Sequence, residues 1–518
     1  MREFAQTLNK FAEGLRKDSN MPRNSGLAVE AYNTRCGVVG LEVPPLITYP
    51  IVGTPTVSWP LPQLVKITDL YLTSSGLYFV NYSAGTFTIS SVAASTYALT
   101  TVYSGAGKSA YATPYVWNGA GTWINTIPPR FTVADFGYYQ IWSHPALTVK
   151  RAINVGLTAY EWTNILIGLN GSGMPPSVRC VCNFRGQLIA GMYSMYAETP
   201  GDTVDNFVAW SEIGSVTPLV MFSSTQYYID RTINTIGGLT RDPHKGTSGI
   251  YKTGPTSPVY RVLPLGKAVI VYCKDRVFAM IPVIEPVSTF AIIPIHSFGI
   301  AGTWLIDGDE FEHAYVDSSG RLWKMKADLK PELLDYREFM NTMTMANIVV
   351  SKNINYGDYY ISDGTKCYLL SPYGLTQWFQ YPTSIVYEDA NKRLIGPISV
   401  SSDLSASIAT DVLDFGVRAL KTIMVLEMGA TGQVMTGNVD YKYKVTDAAF
   451  TASRLKTASN FGVITPLVSG TEFRLRVKGA DYTKFDLDYL TVRYKYVDKR
   501  MIRGVYATDA KVLSRSSS

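Results

Sequence analysis

The sequence has few charged residues and few histidines, which limits the chemistry it can support. Charged side chains make up 17% of the 518 residues, below the roughly 25% of an average globular chain. The four histidines are His144, His244, His296 and His313. None stands in a metal-binding spacing such as H-x-x-x-H or H-E-x-x-H. A histidine without a partner is usually structural, so the sequence predicts no catalytic or metal-binding histidine.

Cysteine is also too sparse to define the fold. The five cysteines are odd in number and irregular in spacing, so they predict no disulfide framework. Cys180 and Cys182 form an isolated C-x-C, and in a strand both side chains would lie on one face. No second cysteine or histidine pair stands near them. We therefore expect buried strand cysteines rather than a metal site.

Long apolar runs are missing as well. The longest candidate, residues 267–286, is interrupted by Lys274, Asp275 and Arg276, so no membrane-spanning segment is predicted. The first twenty residues lack the apolar core of a signal peptide. They place Phe4, Leu8, Phe11 and Leu15 at helical spacing, which predicts a short amphipathic helix. We expect a protein that is made and kept in a cytoplasm, or assembled from there.

One short stretch resembles a phosphate-binding loop but lacks its context. Gly-Ala-Gly-Lys-Ser runs from Gly105 to Ser109, yet the first glycine of the motif would fall at Val102. The following residues include Pro114 and Gly119 and show no helical period. Because phosphate binding needs a strand, a glycine turn and a helix N-terminus, we interpret this stretch as a turn between strands.

The residues that are abundant favour strands and turns. There are 35 tyrosines and 42 glycines, and 46% of the chain is hydrophobic. Residues 76–91, 130–144, 178–194, 268–283, 312–325 and 357–374 each read as strand, turn, strand. These units recur about every forty to fifty residues, the spacing of propeller blades. We predict an all-β fold: a β-propeller with an added antiparallel β-sandwich, preceded by an N-terminal helix and an extended arm. A large sandwich or barrel is the competing architecture.

The predicted boundaries follow changes in composition. Residues 1–62 would form the N-terminal helix and a proline-rich arm, because proline resists packing in a central sheet. Residues 63–396 would form the propeller, 397–505 the sandwich and 506–518 a mobile tail. In the sandwich, "EFRLRVKG" (472–479) and "YLTVRYKYV" (489–497) alternate apolar and polar residues, as half-buried strands do.

The net positive charge is confined to the last part of the chain. From Asp411 onward, 17 Lys and Arg stand against 11 Asp and Glu, which accounts for the net charge of +6. The first 410 residues are therefore neutral. This distribution is weak for a dedicated nucleic-acid-binding protein, which normally carries a concentrated basic patch.

An acidic cluster is the best candidate for chemistry. Its members are Asp307, Asp309, Glu310 and Glu312. Paired carboxylates serve glycoside cleavage when the fold sets them at the right separation, but their spacing does not match an EF-hand loop. We favour a solvated turn, and so predict no enzyme, no catalytic, cofactor-binding or metal-binding residue, and no cofactor.

Three stretches carry a resemblance to a known family. They are residues 205–218, 267–325 and 360–387, with Gly299-Ile300-Ala301-Gly302 and the following "AYVDSSGRLW" as the best-matching element. Their order resembles the β-propeller tail proteins of short-tailed bacteriophages. This nozzle or tail-hub family includes packaged-DNA stabilisation and tail tubular proteins. The resemblance covers about residues 180–500, and the proline-rich arm has no counterpart in it.

The resemblance implies a structural virion protein, assembled in the host cytoplasm and located in the phage tail. It implies a homo-oligomeric ring, a hexamer, below the portal and its adaptor, or head-to-tail connector. The ring would conduct double-stranded DNA without sequence specificity, retain the packaged genome and attach tail fibres or spikes. The N-terminal helix and arm would pack on a neighbouring subunit or on the adaptor. The alternatives are a receptor-binding tail adhesin and a propeller glycan hydrolase that uses Asp307 and Asp309.

Overall fold

The computed structural model describes most of the second half of the chain and selected parts of the first. The described residues are 3–17, 24, 27–44, 178–192, 206–210, 249–254, 257–283, 289–382, 405–431 and 434–497, with further strands between 70 and 164, 235–240 and 386–400. Within them the only helices are one α-helical turn and three 3-10 turns: Arg337–Met340, Lys10–Glu13, Met345–Asn347 and Tyr482–Lys484. The predicted all-β fold class is confirmed.

The chain begins with four short strands, which are β1 (Phe4–Leu8), β2 (Ala28–Tyr32), β3 (Arg35–Cys36) and β4 (Leu41–Glu42). Antiparallel four-stranded sheets follow. Sheet one contains β5 (Leu70–Thr73), β6 (Gly76–Ser83), β7 (Thr86–Val92) and β8 (Leu99–Ser104), and the hairpin β9 (Tyr115–Trp117) and β10 (Trp123–Asn125) comes next. Sheet two contains β11 (Thr132–Asp135), β12 (Tyr139–His144), β13 (Leu147–Asn154) and β14 (Tyr160–Asn164).

Sheet three carries a small hairpin between its last two strands. It contains β15 (Val178–Phe184), β16 (Gln187–Met192), β17 (Phe207–Trp210) and β20 (Gly249–Lys252), and the hairpin is β18 (Thr235–Ile236) and β19 (Leu239–Thr240). Sheet four contains β21 (Val259–Leu265), β22 (Ala268–Cys273), β23 (Val277–Val283) and β24 (Thr289–His296).

Sheets five and six complete the series. Sheet five contains β25 (Ile306–Gly308), β26 (Glu312–Val316), β27 (Leu322–Lys326) and β28 (Pro331–Leu333). Sheet six contains β29 (Val349–Asn353), β30 (Asp358–Ser362), β31 (Cys367–Leu370) and β32 (Leu375–Trp378). Two small pairs follow: β33 (Gln380–Pro382) with β36 (Ile398–Val400), and β34 (Val386–Glu388) with β35 (Arg393–Ile395).

All six hairpins predicted from turn chemistry are antiparallel strand pairs. The turn between β15 and β16 shows why the residues dictate this. Arg185 and Gly186 both have positive φ, 52° and 80°, as a two-residue type I′ turn requires. Asn183 stabilises the turn by accepting a hydrogen bond from the Gly186 N–H at 3.0 Å.

Neighbouring sheets pack as propeller blades do. The first strand of one sheet lies against the first strand of the next: β11 against β15, β15 against β21, and β25 against β29. One apolar core joins sheets two, three and four, a second joins four and five, and the largest joins five and six to both ends of the chain. Radial repetition of four-stranded sheets is the propeller arrangement, which leaves only short sheet edges.

The C-terminal region forms two sheets that also contain N-terminal strands. Its strands are β37 (Ala406–Thr410), β38 (Lys421–Thr431), β39 (Met435–Lys442), β40 (Thr451–Ala452), β41 (Lys456–Thr457), β42 (Val463–Ile464), β43 (Val468–Gly470), β44 (Glu472–Gly479) and β45 (Asp486–Tyr496). One sheet continues sheet six in the order β32, β2, β37, β44, β39 and β40, with β41 also on β39. The other has the order β3, β4, β45, β38 and β42, with β1 on β45 and β43 on β38.

The predicted N-terminal helix is wrong. Residues Phe4–Leu8 form a strand whose exposure alternates and which pairs antiparallel with β45. The ring of Phe4 lies 5.7 Å from that of Tyr494 and 5.3 Å from that of Tyr496. The spacing of four between apolar residues fits one face of a helix. It also fits a strand followed by a 3-10 turn, and pairing with a strand at the other end of the chain decides between them.

The expected packing of this segment on a neighbouring subunit or the adaptor stays a prediction, and within its own chain the segment is already paired. Strand β2 pairs parallel with β32 and antiparallel with β37, so it lies between the last blade and the C-terminal sheets of its own chain. Ala28 and Ala31 are buried there. The proline-rich stretch 45–62 and the tail 506–518 lie outside the described residues.

Candidate functional site

The acidic cluster lies where β25 and β26 meet, at the boundary between sheets five and six. Asp309 shapes the turn, since its Oδ1 accepts hydrogen bonds from the N–H groups of Phe311 and Glu312 at 2.9 and 3.0 Å. Glu310 is exposed, and its carbonyl accepts a hydrogen bond from the N–H of Gly266 in sheet four at 2.7 Å. The turn is therefore fixed by its own carboxylate and contacts the preceding blade.

A lysine from the next blade enters this cluster. Lys352, on β29, places its Nζ 2.8 Å from Asp309 Oδ2 and 3.4 Å from Glu312 Oε1. Its backbone N–H donates to Asp307 Oδ2 at 2.8 Å. The side chain of Lys352 is only 5% exposed. Lys324 completes the group, with its Nζ 2.8 Å from Glu312 Oε2. We call these five residues the charge lock.

The pKa values of the two aspartates of the charge lock are shifted in opposite directions. Burial raises the pKa of the Asp307 carboxyl, because the charged form has lost water. Burial also disfavours ionisation of Asp309. The hydrogen bonds from Lys352 and from two backbone N–H groups outweigh that effect and lower its pKa. Two carboxyls with divergent pKa values can act as acid and base, but here both carboxyls accept hydrogen bonds from the same lysine.

A buried histidine lies beside the lock and connects sheets four and five. His313 is fully buried, with Nδ1 2.9 Å from Tyr272 Oη and Nε2 2.9 Å from the carbonyl of Pro264. Because a carbonyl only accepts, Nε2 carries the proton and Nδ1 accepts from the tyrosine hydroxyl. Burial lowers the pKa of His313 to about 4, so the ring is neutral near pH 7.

Three other predicted structural residues are placed as expected. His296 packs its ring edge-on against Trp323, with centroids 4.4 Å apart. Cys180 and Cys182 are buried in the core shared by sheets two to four. Burial raises the pKa of both thiols, to about 11 for Cys180. In the residues described, no group of three or more His, Cys, Asp and Glu is placed to hold a metal ion.

Three further candidates are not described at side-chain level. Residues 105–109 and His244 lie outside the described residues, and His144 is described only as the end of β12. The prediction of a turn at 105–109 therefore stays a prediction.

Sequence reasoning missed a second buried charge group, at the junction of the N-terminus with sheet six. Arg35, on β3, donates to both carboxylate oxygens of Asp358 at 2.8 and 3.0 Å and to Glu42 Oε2 at 2.8 Å. Asp358 is completely buried. We call Arg35, Glu42 and Asp358 the N-terminal clasp. No local signal announces it, because Arg35 and Asp358 lie 323 residues apart.

Backbone contacts extend the clasp along β32. The N–H of Leu15 donates to the Leu375 carbonyl at 2.7 Å, and the N–H of Asn33 donates to the Gln377 carbonyl at 2.8 Å. A β-carbon at Gly374 would lie 1.9 Å from the carbonyl oxygen of Glu13, so only glycine allows this approach. The N-terminal segment is thus fitted closely against sheet six.

Comparisons with known proteins give likenesses of fold only. No protein-family model matches the sequence, and no curated protein matches it. An exo-β-1,3-galactanase from Phanerochaete chrysosporium, solved with galactose, is 9% identical with a TM-score of 0.29, over 71% of this chain and 96% of that one. The WD40 β-propeller domain of Doa1 is 10% identical with a TM-score of 0.27, over 67% and 90%. At these scores neither likeness supports an inference about activity.

The described residues contain no helix that is both long and apolar enough to cross a membrane. The architecture that the structure establishes is an all-β chain whose blade-like sheets lead into two C-terminal sheets.

Proposed function

We propose that this chain is a structural virion protein of a short-tailed bacteriophage. In this proposal it forms the nozzle or hub ring of the tail, as a homohexamer below the portal and its adaptor. The ring conducts and retains packaged double-stranded DNA and carries fibres or spikes. The observation that favours a structural role over chemistry is the charge lock. The acidic residues that the sequence offers for catalysis hold the backbone and side chain of Lys352 in the neighbouring blade.

The joining of the two chain ends supports the same role. Strand β2 lies between sheet six and β37, and β1 lies on β45, so propeller and C-terminal sheets share strands. Shared strands couple the two regions more strongly than a flexible linker would. A ring subunit that retains a pressurised genome needs such coupling.

The charge distribution agrees with a conduit. Each contact between a cation and a phosphate adds salt-dependent affinity and would hold the passing strand. The first 410 residues carry no net charge, and the excess of +6 lies beyond them. In the proposed ring, DNA would pass the neutral propeller, and the basic C-terminal sheets would serve contacts with other proteins.

The experiment that tests the proposal is the copy number of this chain in purified phage particles. Quantitative mass spectrometry with isotope-labelled peptides would compare it with the portal protein of the same particles. Half the portal's number supports a hexameric ring below a dodecameric portal. A number that fits trimeric fibres would favour the adhesin instead, and absence from the particle would contradict any structural virion role.

A propeller glycan hydrolase is the second candidate, because Asp307 and Asp309 have pKa values shifted in opposite directions. It predicts cleavage of bacterial surface glycan that is lost in Asp309→Asn while the fold is retained. The control is Glu310→Gln, which changes an exposed carboxylate of the same turn. Equal cleavage by both variants would show that Asp309 is not required for the activity.

A further inference from the structure

The C-terminal sheets leave a groove open at one end. The groove has a volume of about 490 Å³ and is lined by residues of both sheets, among them Tyr441, Tyr443, Arg454, Lys456, Leu467 and Val468. It lies between β40 and β41 at the edge of one sheet and β43 at the edge of the other. The Nζ of Lys456 donates across this gap to the Thr465 carbonyl at 2.5 Å.

The apolar wall of the groove continues the interior of the two sheets. Along β39, Met435 and Val439 are buried in the core. Because side chains alternate in a strand, Tyr441 follows on the same face, and Tyr443 lies just beyond the end of β39. Tyr443 is 54% exposed. Aromatic surface of Tyr443 therefore lies open to solvent beside the groove.

A strained residue borders the same opening. Leu467 has a φ of +53° and is 61% exposed. A leucine rarely adopts the left-handed region, and residues held in such conformations cluster at binding sites. Pro466 and Val468, on either side of it, are buried and hold it in place. The structure thus presents an apolar side chain to solvent at the rim of the groove.

The charge of the groove has one sign. Residues 442–456 carry four cations and one carboxylate, Asp447, which accepts the Lys444 backbone N–H at 2.8 Å. The lining includes Arg454 and Lys456 and no carboxylate among the residues described there. An occupant that complements this lining carries negative charge beside an apolar side chain.

The strand edges indicate the shape of the occupant. In the described part of the chain, β40 and β41 pair only with β39, and β43 pairs only with β38. An edge strand offers unpaired N–H and C=O groups to an added strand. We propose that this groove binds an extended, acidic segment of a partner protein, which adds to a sheet edge and inserts one apolar side chain between Tyr443 and Leu467.

This inference does not depend on the proposed function. Nucleic acid is the competing polyanion. It would require cations spaced along a backbone, whereas the groove has two cations beside an apolar wall.

The test selects binders of the full chain from a displayed library of random peptides of roughly ten residues, the upper length of an ordinary strand. We expect acidic peptides with an apolar or aromatic centre. Their affinity, measured by fluorescence anisotropy, should fall about ten-fold or more in Arg454→Glu and severalfold in Tyr443→Ala. The matched control, Lys484→Glu, changes an exposed lysine of the same region outside the groove and should bind as the unchanged chain does.

Folding of each variant is checked by thermal unfolding, and Arg454→Gln gives a milder second variant should Arg454→Glu lose its fold. The proposal would be overturned by selected peptides that are basic or absent. Equal affinity in Arg454→Gln, Tyr443→Ala and Lys484→Glu would overturn it as well. The proposal would also be overturned if a single-stranded oligonucleotide bound in an Arg454-dependent way and no acidic peptide competed with it.

Discussion

The buried cations Lys352 and Arg35 each lie between carboxylates, but they join parts of the chain at very different sequence separations. In the charge lock, Lys352 pairs with Asp309 and Glu312, and all three belong to consecutive blades. In the N-terminal clasp, Arg35 pairs with Asp358, 323 residues along the chain. The charge lock joins sheets five and six, which follow each other in the chain. The N-terminal clasp joins the N-terminal strands to sheet six, which lies far away in sequence.

The cations of both groups are buried, so each group stabilises the fold only while the ion-pair partners of its cation are present. Removing one partner of a buried ion pair costs far more than the pair itself contributes, because a charge is left buried without compensation. The lysine of the lock can be satisfied by two carboxylates, whereas Asp358 relies on a bidentate arginine. Breaking the clasp should therefore affect more of the molecule than breaking the lock.

The largest effect is expected from removing residues 1–40. This deletion takes β1, β2 and β3 from the C-terminal sheets, so β37, β45 and β32 each lose a neighbouring strand. We expect the truncated chain to be insoluble or to lose the cooperative unfolding of the C-terminal region, as followed by calorimetry. Normal solubility with an unchanged unfolding profile would show that these strands are dispensable.

Breaking the clasp by one side chain comes next. Asp358→Ala leaves the Arg35 guanidinium buried without its bidentate partner, and we expect a loss of about 3–5 kcal/mol in the free energy of unfolding. Glu42→Gln is the control, because the Glu42 side chain is 47% exposed and its pair with Arg35 is worth under about 1 kcal/mol. Denaturant titration measures both. Similar losses in the two variants would mean that burial does not set the strength of the clasp.

The lock is tested by Lys352→Met. The variant removes the ammonium, which lies 5.2 Å from the centre of the Tyr359 ring, and so takes the Lys352 partner from Asp309 and Glu312. We expect a loss of about 3 kcal/mol in the free energy of unfolding. Lys324→Met removes the other lysine, which forms an ion pair with Glu312, and should lose about 1 kcal/mol. Equal effects in a denaturant titration would show that the two lysines are equivalent.

His313 differs from the residues of the charge lock, because it is buried beside them and is uncharged near pH 7. Its pKa is lowered from 6.5 to about 4, so the unfolded chain binds the proton first as the pH falls. Stability from this group is complete above pH 6.5 and is lost between pH 6.5 and about 4, by up to about 3 kcal/mol. His313→Gln should flatten that part of the stability profile. An equal loss of stability over the same pH range in His313→Gln would contradict this role of His313.

The residues themselves explain which features could be predicted. Arg185 and Gly186 fix a tight turn, so the hairpin they join follows from local chemistry. The alternation of 472–479 places Phe473, Leu475 and Val477 in the core. One detail differs, because Glu472 on the expected polar face is buried. Local preference and side-chain period are sufficient where partners are close in sequence.

The N-terminal segment could not be predicted in the same way. Phe4 and Leu8 fit a helix as well as a strand, and the deciding partner, β45, lies at the far end of the chain. Arg35 shows no sign in sequence of its pairing with Asp358. Only part of the charge lock could be predicted, because the acidic cluster is contiguous in sequence but Lys352 enters it from another blade. Contacts across long loops depend on the finished fold.

The N-terminal strands, sheet six and the C-terminal sheets should unfold as one cooperative body. Native-state hydrogen exchange, followed by mass spectrometry, measures this. We expect the amides of β2 to exchange with the same opening free energy as those of β44, and Asp358→Ala to lower both together. Rapid exchange of β2 while β44 stays protected, in the unchanged chain or in the variant, would contradict this expectation.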